Sequence, residues 1–184
     1  MAHYFITGVS SGIGRALVTK LCRDQNNVSG VARRAERLED LKTKNKNFYG
    51  MVCDVTEVSS LADCVSSAEK KLGNIDIAIL NAGIYVPQDG KDIDPSVYAK
   101  HMDTNYMGVI NALAPIIPSM IKRGTGHIAI IASAAGWRGL PKAAAYGPTK
   151  AALISLGESL YFDLKKTGVK LQVICPGFVD TEAT

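Results

Sequence analysis

The sequence lacks the features that define several common classes of protein. Its four cysteines, Cys22, Cys53, Cys64 and Cys175, show no CxxC or Cys/His spacing, so we expect no metal site. No apolar run reaches the length of a membrane span, and the formal net charge is only +4, too small to indicate a nucleic-acid or membrane surface. The start of the chain lacks the charged and then apolar layout of a signal peptide. We therefore expect a cytoplasmic protein that binds neither nucleic acid nor membrane.

Short apolar runs alternate along the chain with longer amphipathic patterns. The apolar runs are rich in Ile and Val, as expected of strands covered on both faces, and span residues 3–7, 28–32, 48–53, 75–80, 127–132 and 170–175. Helical patterns lie between them at about residues 13–23, 35–44, 59–72, 95–122 and 148–166. Pro115 and Pro118 are expected to bend or end the fourth helix. This alternation predicts parallel βαβ units with right-handed crossovers. The expected fold is a single α/β domain over residues 1–184, a doubly wound parallel sheet of the Rossmann type.

A glycine-rich segment links the first predicted strand to the first predicted helix. Its glycines are spaced G-x-x-x-G-x-G, whereas the general dinucleotide fingerprint is G-x-G-x-x-G. Glycines allow a tight turn and let the backbone approach a pyrophosphate, and the helix N-terminus adds N–H groups and a positive dipole end. A purely structural turn is the alternative. The position between strand and helix favours a phosphate site formed by Gly8, Ser10, Ser11, Gly12, Ile13 and Gly14.

Two arginines, Arg33 and Arg34, follow the second predicted strand directly. In dinucleotide-binding folds an acidic residue near this place holds the ribose 2′-OH of NAD, whereas an arginine accommodates the 2′-phosphate of NADP. The planar guanidinium can bind two phosphate oxygens together. A surface arginine pair at a helix start is the alternative interpretation. The sequence favours NADP over NAD.

The strongest chemical signal is the pair Tyr146 and Lys150. At a spacing of four residues in a helix the two side chains share one face, so the ammonium can reach towards the phenol. A nearby cation lowers the pKa of a phenol and brings it towards the range of efficient proton transfer. This spacing is common by chance, but Ser133 ends the fifth predicted strand, where ligands bind in such sheets. Its hydroxyl can hydrogen-bond a substrate oxygen as charge develops there.

These motifs, in this order, resemble the short-chain dehydrogenase/reductase superfamily in its compact single-domain form, over nearly the whole chain. The resemblance implies that Asp54 meets the adenine amino group, that Val55 packs near the ring, and that Asn81-Ala82-Gly83 lies beside the cofactor ribose. It also implies that a segment after the sixth strand contacts the nicotinamide carboxamide, with residues Pro176, Gly177, Val179 and Thr181. Ordinary turns are the alternative interpretation of each segment.

By the same resemblance the catalytic residues are Asn105, Ser133, Tyr146 and Lys150. Asn105 would disturb the long fourth helix and hold a water that links Lys150 to solvent protons. The implied function is that of an oxidoreductase, which transfers a hydride between NADP(H) and a small carbonyl or alcohol substrate with Tyr146 as general acid and base. NAD is the less favoured cofactor.

Other functions are compatible with a Rossmann-like chain. An NADP(H)-sensing protein without turnover could dispense with Ser133, Tyr146, Lys150 and Asn105, all of which are present. An epimerase or dehydratase usually has glycines spaced G-x-x-G-x-x-G and a longer chain. A methyltransferase would need neither the Tyr–Lys pair nor the arginines.

Five residues outside these motifs are interpreted from their positions alone. His3, His101 and His127 are scattered along the chain and are interpreted as structural or surface residues. Trp137 and Arg138 follow the loop of the catalytic serine and are expected to line the substrate pocket.

Two further expectations concern assembly and length. The predicted helices 95–122 and 148–166 carry more apolar residues than one sheet face should cover, and by resemblance they pack against their copies in a homodimer or homotetramer. Family members usually continue well past the P-G-x-x-x-T motif, whereas this sequence stops at Thr184. We expect the sequence to belong to a longer protein, with the substrate lid and last strand missing from it.

Overall fold

The computed structural model describes residues 1–181, which form a six-stranded sheet with helices between the strands. The strands are β1 (His3–Thr7), β2 (Asn27–Ala32), β3 (Phe48–Val52), β4 (Ile77–Leu80), β5 (Gly126–Ile131) and β6 (Val169–Ile174). The helices are α1 (Gly12–Arg23), α2 (Ala35–Lys44), α3 (Val58–Leu72), α4 (Pro95–Met102), α5 (Gly108–Arg123) and α6 (Gly147–Leu164). All neighbouring strands are parallel, in the order β3-β2-β1-β4-β5-β6. The predicted doubly wound α/β fold is confirmed.

The sheet separates two hydrophobic clusters. Phe5 of β1 belongs to the cluster that includes buried residues of α3 and α5, and Ile6, the next residue, belongs to the cluster of α1 and α2. Successive strand residues point to opposite faces, so both faces of β1 must be apolar. This is why the strands are continuous apolar runs in the sequence, without strict alternation.

The predicted fourth helix differs most from expectation. It is divided by a π-helical turn, Asp103–Met107, between α4 and α5. The prolines do not end it, because α5 continues through Pro115 and Pro118 to Arg123. An internal proline costs a helix about 3 kcal/mol, but burying one large apolar side chain contributes about 1.5–3 kcal/mol. The buried face of α5, which includes Leu113 and Ile116, offsets that cost.

The winding of the chain reverses between β1 and β4, which are neighbours in the sheet. In open α/β sheets ligands bind at such a switch point, beyond the carboxyl ends of the strands. The glycine-rich segment follows β1, and Asn81 follows β4, so both lie at this edge. Among residues 1–181, no helix is sufficiently long and apolar to cross a membrane.

Candidate active site

A cleft of about 870 Å³ lies at the carboxyl ends of the strands. The predicted site residues all fall within the described part of the chain, and all except Gly14 and Asn105 line this cleft. They include residues that are far apart in the sequence, from Gly8 to Thr181. The fold therefore brings the glycine-rich segment, the arginines and the Ser–Tyr–Lys set into one continuous site.

The turn after β1 requires glycine at two positions. The backbone φ angle is +76° at Gly8 and +53° at Gly12, a region that side chains rarely adopt. A Cβ atom on Gly8 would also lie 2.8 Å from Cα of Ala82. A Cβ atom on Gly14 would collide with the carbonyl oxygen of Gly8, so Gly14 serves the close packing of the helix start rather than the cleft surface.

Asn81 ties this turn to the end of β4. Its Nδ2 donates to the carbonyl oxygens of Thr7 at 3.1 Å and Gly8 at 3.2 Å. In return, the Thr7 hydroxyl accepts from the backbone N–H groups of Asn81 and Ala82, each at 3.0 Å. These bonds fix the glycine turn to the neighbouring strand across the switch point.

The N-terminus of α1 opens into the cleft beside Arg34. Within residues 1–181 the Ser11 hydroxyl makes no capping bond to the helix, and it accepts instead from Arg34 Nη2 at 2.8 Å. Arg34 also donates to the Ser10 hydroxyl, from Nη2 at 2.8 Å and from Nε at 3.1 Å. A helix N-terminus with an adjacent guanidinium is a suitable environment for phosphate groups. The residues present therefore fit a dinucleotide.

Arg33 and Asp54 face each other at the same end of the cleft. Arg33 Nη1 lies 3.5 Å from Asp54 Oδ2, and both side chains are partly exposed. Burial alone would raise the pKa of Asp54, but hydrogen bonds from the Thr56 backbone and hydroxyl, together with Arg33, hold that pKa below its usual value. Asp54 is thus an ionised acceptor next to a cation.

The opposite end of the cleft holds Ser133 and Tyr146. Ser133 follows β5, and its Oγ accepts from the backbone N–H of Ala135 at 3.1 Å. Tyr146 directly precedes α6 and is half-buried. Burial raises the pKa of Tyr146, and a hydrogen bond with Ser133 acts in the opposite direction. The phenol is therefore protonated at neutral pH.

Lys150 lies one helical turn after Tyr146 and lines the cleft. Its Nζ lies 5.5 Å from the centroid of the Tyr146 ring and donates to the carbonyl oxygen of Ile131 at 2.8 Å. The side chain is almost fully buried, and this burial lowers the pKa of Lys150 to about 8. The ammonium is consequently a poorly hydrated cation close to the phenol.

Asn105 occupies the π-helical turn between α4 and α5 and is fully buried. Its Oδ1 accepts from the backbone N–H of Ile84 at 2.7 Å, and its Nδ2 donates to the Ile84 carbonyl at 3.0 Å and to the Thr149 hydroxyl at 3.1 Å. The predicted disturbance of the helix at Asn105 is present. Its side chain connects the segment after β4 with α6.

The segment after β6 forms a further wall of the cleft. The Pro176 carbonyl accepts from the backbone N–H of Ala134 at 2.9 Å, which extends the pairing of β5 and β6 past the strand ends. Thr181 lies over the glycine turn, because a Cβ atom on Gly12 would lie 3.4 Å from the Thr181 Cβ. Pro176, Gly177, Val179 and Thr181 all line the cleft.

The wall beside Tyr146 contains residues that the sequence analysis missed. The rings of Tyr85 and Tyr146 meet edge to face, with centroids 5.2 Å apart. Other lining residues outside the predicted set include Ile84, Val86, Leu140, Pro141 and Phe178. Trp137 and Arg138, expected at the pocket, are exposed and lie outside the lining.

Comparisons with known proteins agree with this architecture. Residues 2–184 match the family model described as short chain dehydrogenase. An uncharacterized oxidoreductase of Myxococcus xanthus is 33% identical over 183 residues, which cover 97% of this chain and 72% of the relative.

Solved structures give the same result. Serine dehydrogenase from Escherichia coli superposes with a TM-score of 0.91 at 29% identity, over 96% of this chain and 83% of that one. Actinorhodin polyketide ketoreductase, in a structure with NADPH, superposes with a TM-score of 0.93 at 27% identity, over 98% of this chain and 72% of that one.

Proposed function

The chain belongs to the short-chain dehydrogenase family of oxidoreductases, and we propose that it transfers a hydride between NADP(H) and a carbonyl or alcohol, with Tyr146 as the general acid and base. The observation that carries this proposal is the single cleft that joins a phosphate-binding turn to a Ser–Tyr–Lys set. The structural neighbour solved with NADPH supports the choice of cofactor.

The adenosine and phosphates of the cofactor would lie at the end of the cleft formed by the first half of the chain. The turn from Gly8 to Gly12 and the N-terminus of α1 would hold the pyrophosphate. Arg33 and Arg34 would bind the 2′-phosphate, since each guanidinium already lies at this end of the cleft. Asp54 and Val55 line the same end and would contact the adenine.

The carbonyl end would be organised by two hydroxyls. When bound, the nicotinamide supplies or accepts the hydride. Ser133 and Tyr146 would both bind the substrate oxygen, and the protonated phenol would donate its proton to that oxygen during reduction. In the oxidation direction the phenol must first lose its proton, and the Lys150 ammonium favours the phenolate. Lys150 would also contact the nicotinamide ribose.

A panel assay tests the proposal directly. Purified protein is mixed with NADPH and a range of ketones and aldehydes, and NADPH consumption is followed by absorbance. We expect turnover with at least one carbonyl compound and much weaker turnover with NADH. Tyr146→Phe is the matched control, because it removes only the hydroxyl. If NADPH binds but no compound in a broad panel is reduced, the protein is better described as an NADP(H)-binding sensor.

We further propose that the protein forms a homodimer or homotetramer. At the end of α6, Tyr161 is 54% exposed and Phe162 is 65% exposed, with their ring centroids 5.7 Å apart. Such an aromatic pair on a helix surface is suited to burial against a second copy. Light scattering at micromolar concentration should give a multiple of the monomer mass, and Phe162→Glu should shift it towards the monomer. A monomeric mass for the unmodified protein would contradict this proposal.

A further inference from the structure

His101 is a fully buried histidine near the end of α4 whose two ring nitrogens both have backbone partners. Nε2 accepts from the backbone N–H of Val86 at 3.0 Å. Because Nε2 must supply a lone pair, the ring proton of the neutral imidazole is on Nδ1, which lies 2.7 Å from the Val97 carbonyl oxygen. The bond to Val97, four residues earlier, fixes the ring within its own helix. The bond to Val86 reaches outside the helix.

His101 and Asn105 together anchor one segment of backbone. They lie four residues apart, the spacing that places two side chains on one helical face. Asn105 binds both the N–H and the carbonyl of Ile84, and His101 binds the N–H of Val86. The segment after β4 is thus attached at alternate residues, 84 and 86.

The residue between these two anchors is Tyr85. It lines the cleft, and its ring meets the Tyr146 ring edge to face at 5.2 Å between centroids. The Val86 side chain lines the same wall and is 44% exposed. A displacement of this segment would therefore change the shape of the site next to the reacting hydroxyl without touching the turn that faces the phosphates.

We propose that His101 is a positioning residue for the carbonyl substrate, which holds the Tyr85–Val86 wall against Tyr146 through its bond to the Val86 N–H. This inference rests on the proposed reduction of carbonyl compounds. An apolar side chain could fill the same volume but would leave the Val86 N–H without this acceptor, and the free energy of that hydrogen bond would be lost. The segment would then move to find another partner, and the substrate would lose part of its binding surface.

Three variants separate the two bonds of the ring. His101→Gln can place an amide oxygen near the Val86 N–H, His101→Asn keeps a donor near the Val97 carbonyl but is too short to reach Val86, and His101→Leu supplies neither. We expect His101→Leu and His101→Asn to raise KM for the carbonyl about tenfold, since small misplacements in a site are expensive. The kcat should change less, and His101→Gln should restore most of the loss. The Kd for NADPH should stay within about twofold in all three.

Hydrogen–deuterium exchange of peptides that cover residues 84–86 supplies a readout that does not depend on turnover. Exchange should be faster in His101→Leu and His101→Asn and near normal in His101→Gln. If no carbonyl is reduced by the unmodified protein but this exchange pattern is found, the proposed function fails while the anchoring by His101 stands.

Two results would overturn the role of His101. One is a carbonyl KM and an exchange rate in His101→Asn equal to those of the unmodified protein. The other is an equal loss of NADPH and carbonyl affinity, because that would indicate a general structural defect. Should His101→Leu fail to fold, the comparison of His101→Asn with His101→Gln decides the question alone.

Discussion

The Nζ atom of Lys150 lies 5.5 Å from the centroid of the Tyr146 ring, one helical turn along α6. Burial shifts the pKa of both side chains, in opposite directions. Burial raises the pKa of the phenol and lowers that of the ammonium. Each effect favours the neutral form of its group, and the Tyr146 phenol is therefore protonated at neutral pH.

The hydroxyl of Tyr146 should be necessary for turnover but not for cofactor binding. General acid catalysis contributes about 100-fold to 10,000-fold in rate. Tyr146→Phe should therefore lower kcat by at least about 100-fold, while its ring continues to pack against Tyr85. Steady-state kinetics and NADPH titration by fluorescence check both parts. A kcat near that of the unmodified protein would remove Tyr146 from the proton-transfer step.

Lys150 should make stability depend on pH in a defined window. Its pKa falls from 10.5 when unfolded to about 8 in the folded protein. The unfolded chain therefore binds more protons between these values, and the free energy of unfolding must rise as pH increases from about 8 to 10.5. The stabilisation is complete above the pKa of the unfolded chain, and it is lost as the pH falls through about 8. Across this pH range the shift of Lys150 changes the free energy of unfolding by about 3 kcal/mol.

The measurement is urea unfolding at several pH values, compared with Lys150→Met. As the pH rises from about 8 to 10.5, the free energy of unfolding of the unmodified protein should increase relative to that of Lys150→Met. Lys166→Met, which removes an exposed lysine just beyond the end of α6, is the matched control and should show no such change. A pH-independent difference for Lys150→Met would show that the buried amine is not shifted.

Discrimination between NADPH and NADH should depend on the arginines after β2. A hydrogen bond to a charged group contributes about 1.5–3 kcal/mol. The double variant Arg33→Ala with Arg34→Ala should therefore lose at least about tenfold in its preference for NADPH. Arg34 also binds the Ser10 and Ser11 hydroxyls, so some loss for NADH is expected as well.

Single variants and a charge control make this prediction sharper. Arg33→Ala alone should weaken NADPH more than NADH, since Arg33 pairs with Asp54, whereas Arg34 is the arginine that binds the Ser10 and Ser11 hydroxyls. Lys42→Ala with Lys44→Ala removes two charges from the other end of α2 and should leave the preference unchanged. Equal losses for both cofactors in the Arg33→Ala protein would show that this residue does not read the 2′-phosphate.

The sequence predicts those parts of the fold and site that depend on local pattern. The predicted ends of every strand lie within about two residues of the observed ends, because a strand buried on both faces must be an apolar run. The glycine turn and the Tyr146–Lys150 pair could be found because they are short motifs with fixed spacing. The division of the fourth helix was predicted only at Asn105, by resemblance. The two prolines do not end α5, because burial of its apolar face outweighs their local cost.

Long-range contacts were beyond sequence reasoning. Tyr85 reaches Tyr146 only through the sheet topology, and no spacing along the chain indicates that contact. His101 was interpreted as structural or surface, and the structure shows it buried. Its bond to Val86 joins α4 to the segment after β4, and no periodicity along the chain specifies that contact. Trp137 is exposed and does not line the cleft, although Ala135 before it and Leu140 after it do, and the sequence does not indicate this difference.

Gly8 should be far less tolerant of alanine than Gly124, another glycine with a positive φ angle. Gly124 has φ +68°, close to the +76° of Gly8, and a Cβ atom there would meet nothing within 4 Å. A left-handed conformation costs a residue with a side chain about 1–2 kcal/mol, so Gly124→Ala should lose about that much stability. Gly8→Ala carries the same cost and, in addition, the contact of its Cβ with the Ala82 backbone.

That contact cannot be relieved by a rotamer change, because Cα of Ala82 belongs to the segment that the Thr7 hydroxyl holds in place. Overpacking of this kind costs about 1–3 kcal/mol. Gly8→Ala should therefore be less stable than Gly124→Ala by about that amount, and it should also bind NADPH more weakly. Urea unfolding and NADPH titration of both variants test this. Equal stabilities would mean that the turn and the end of β4 can separate, and the close approach would then not be what requires glycine at this position.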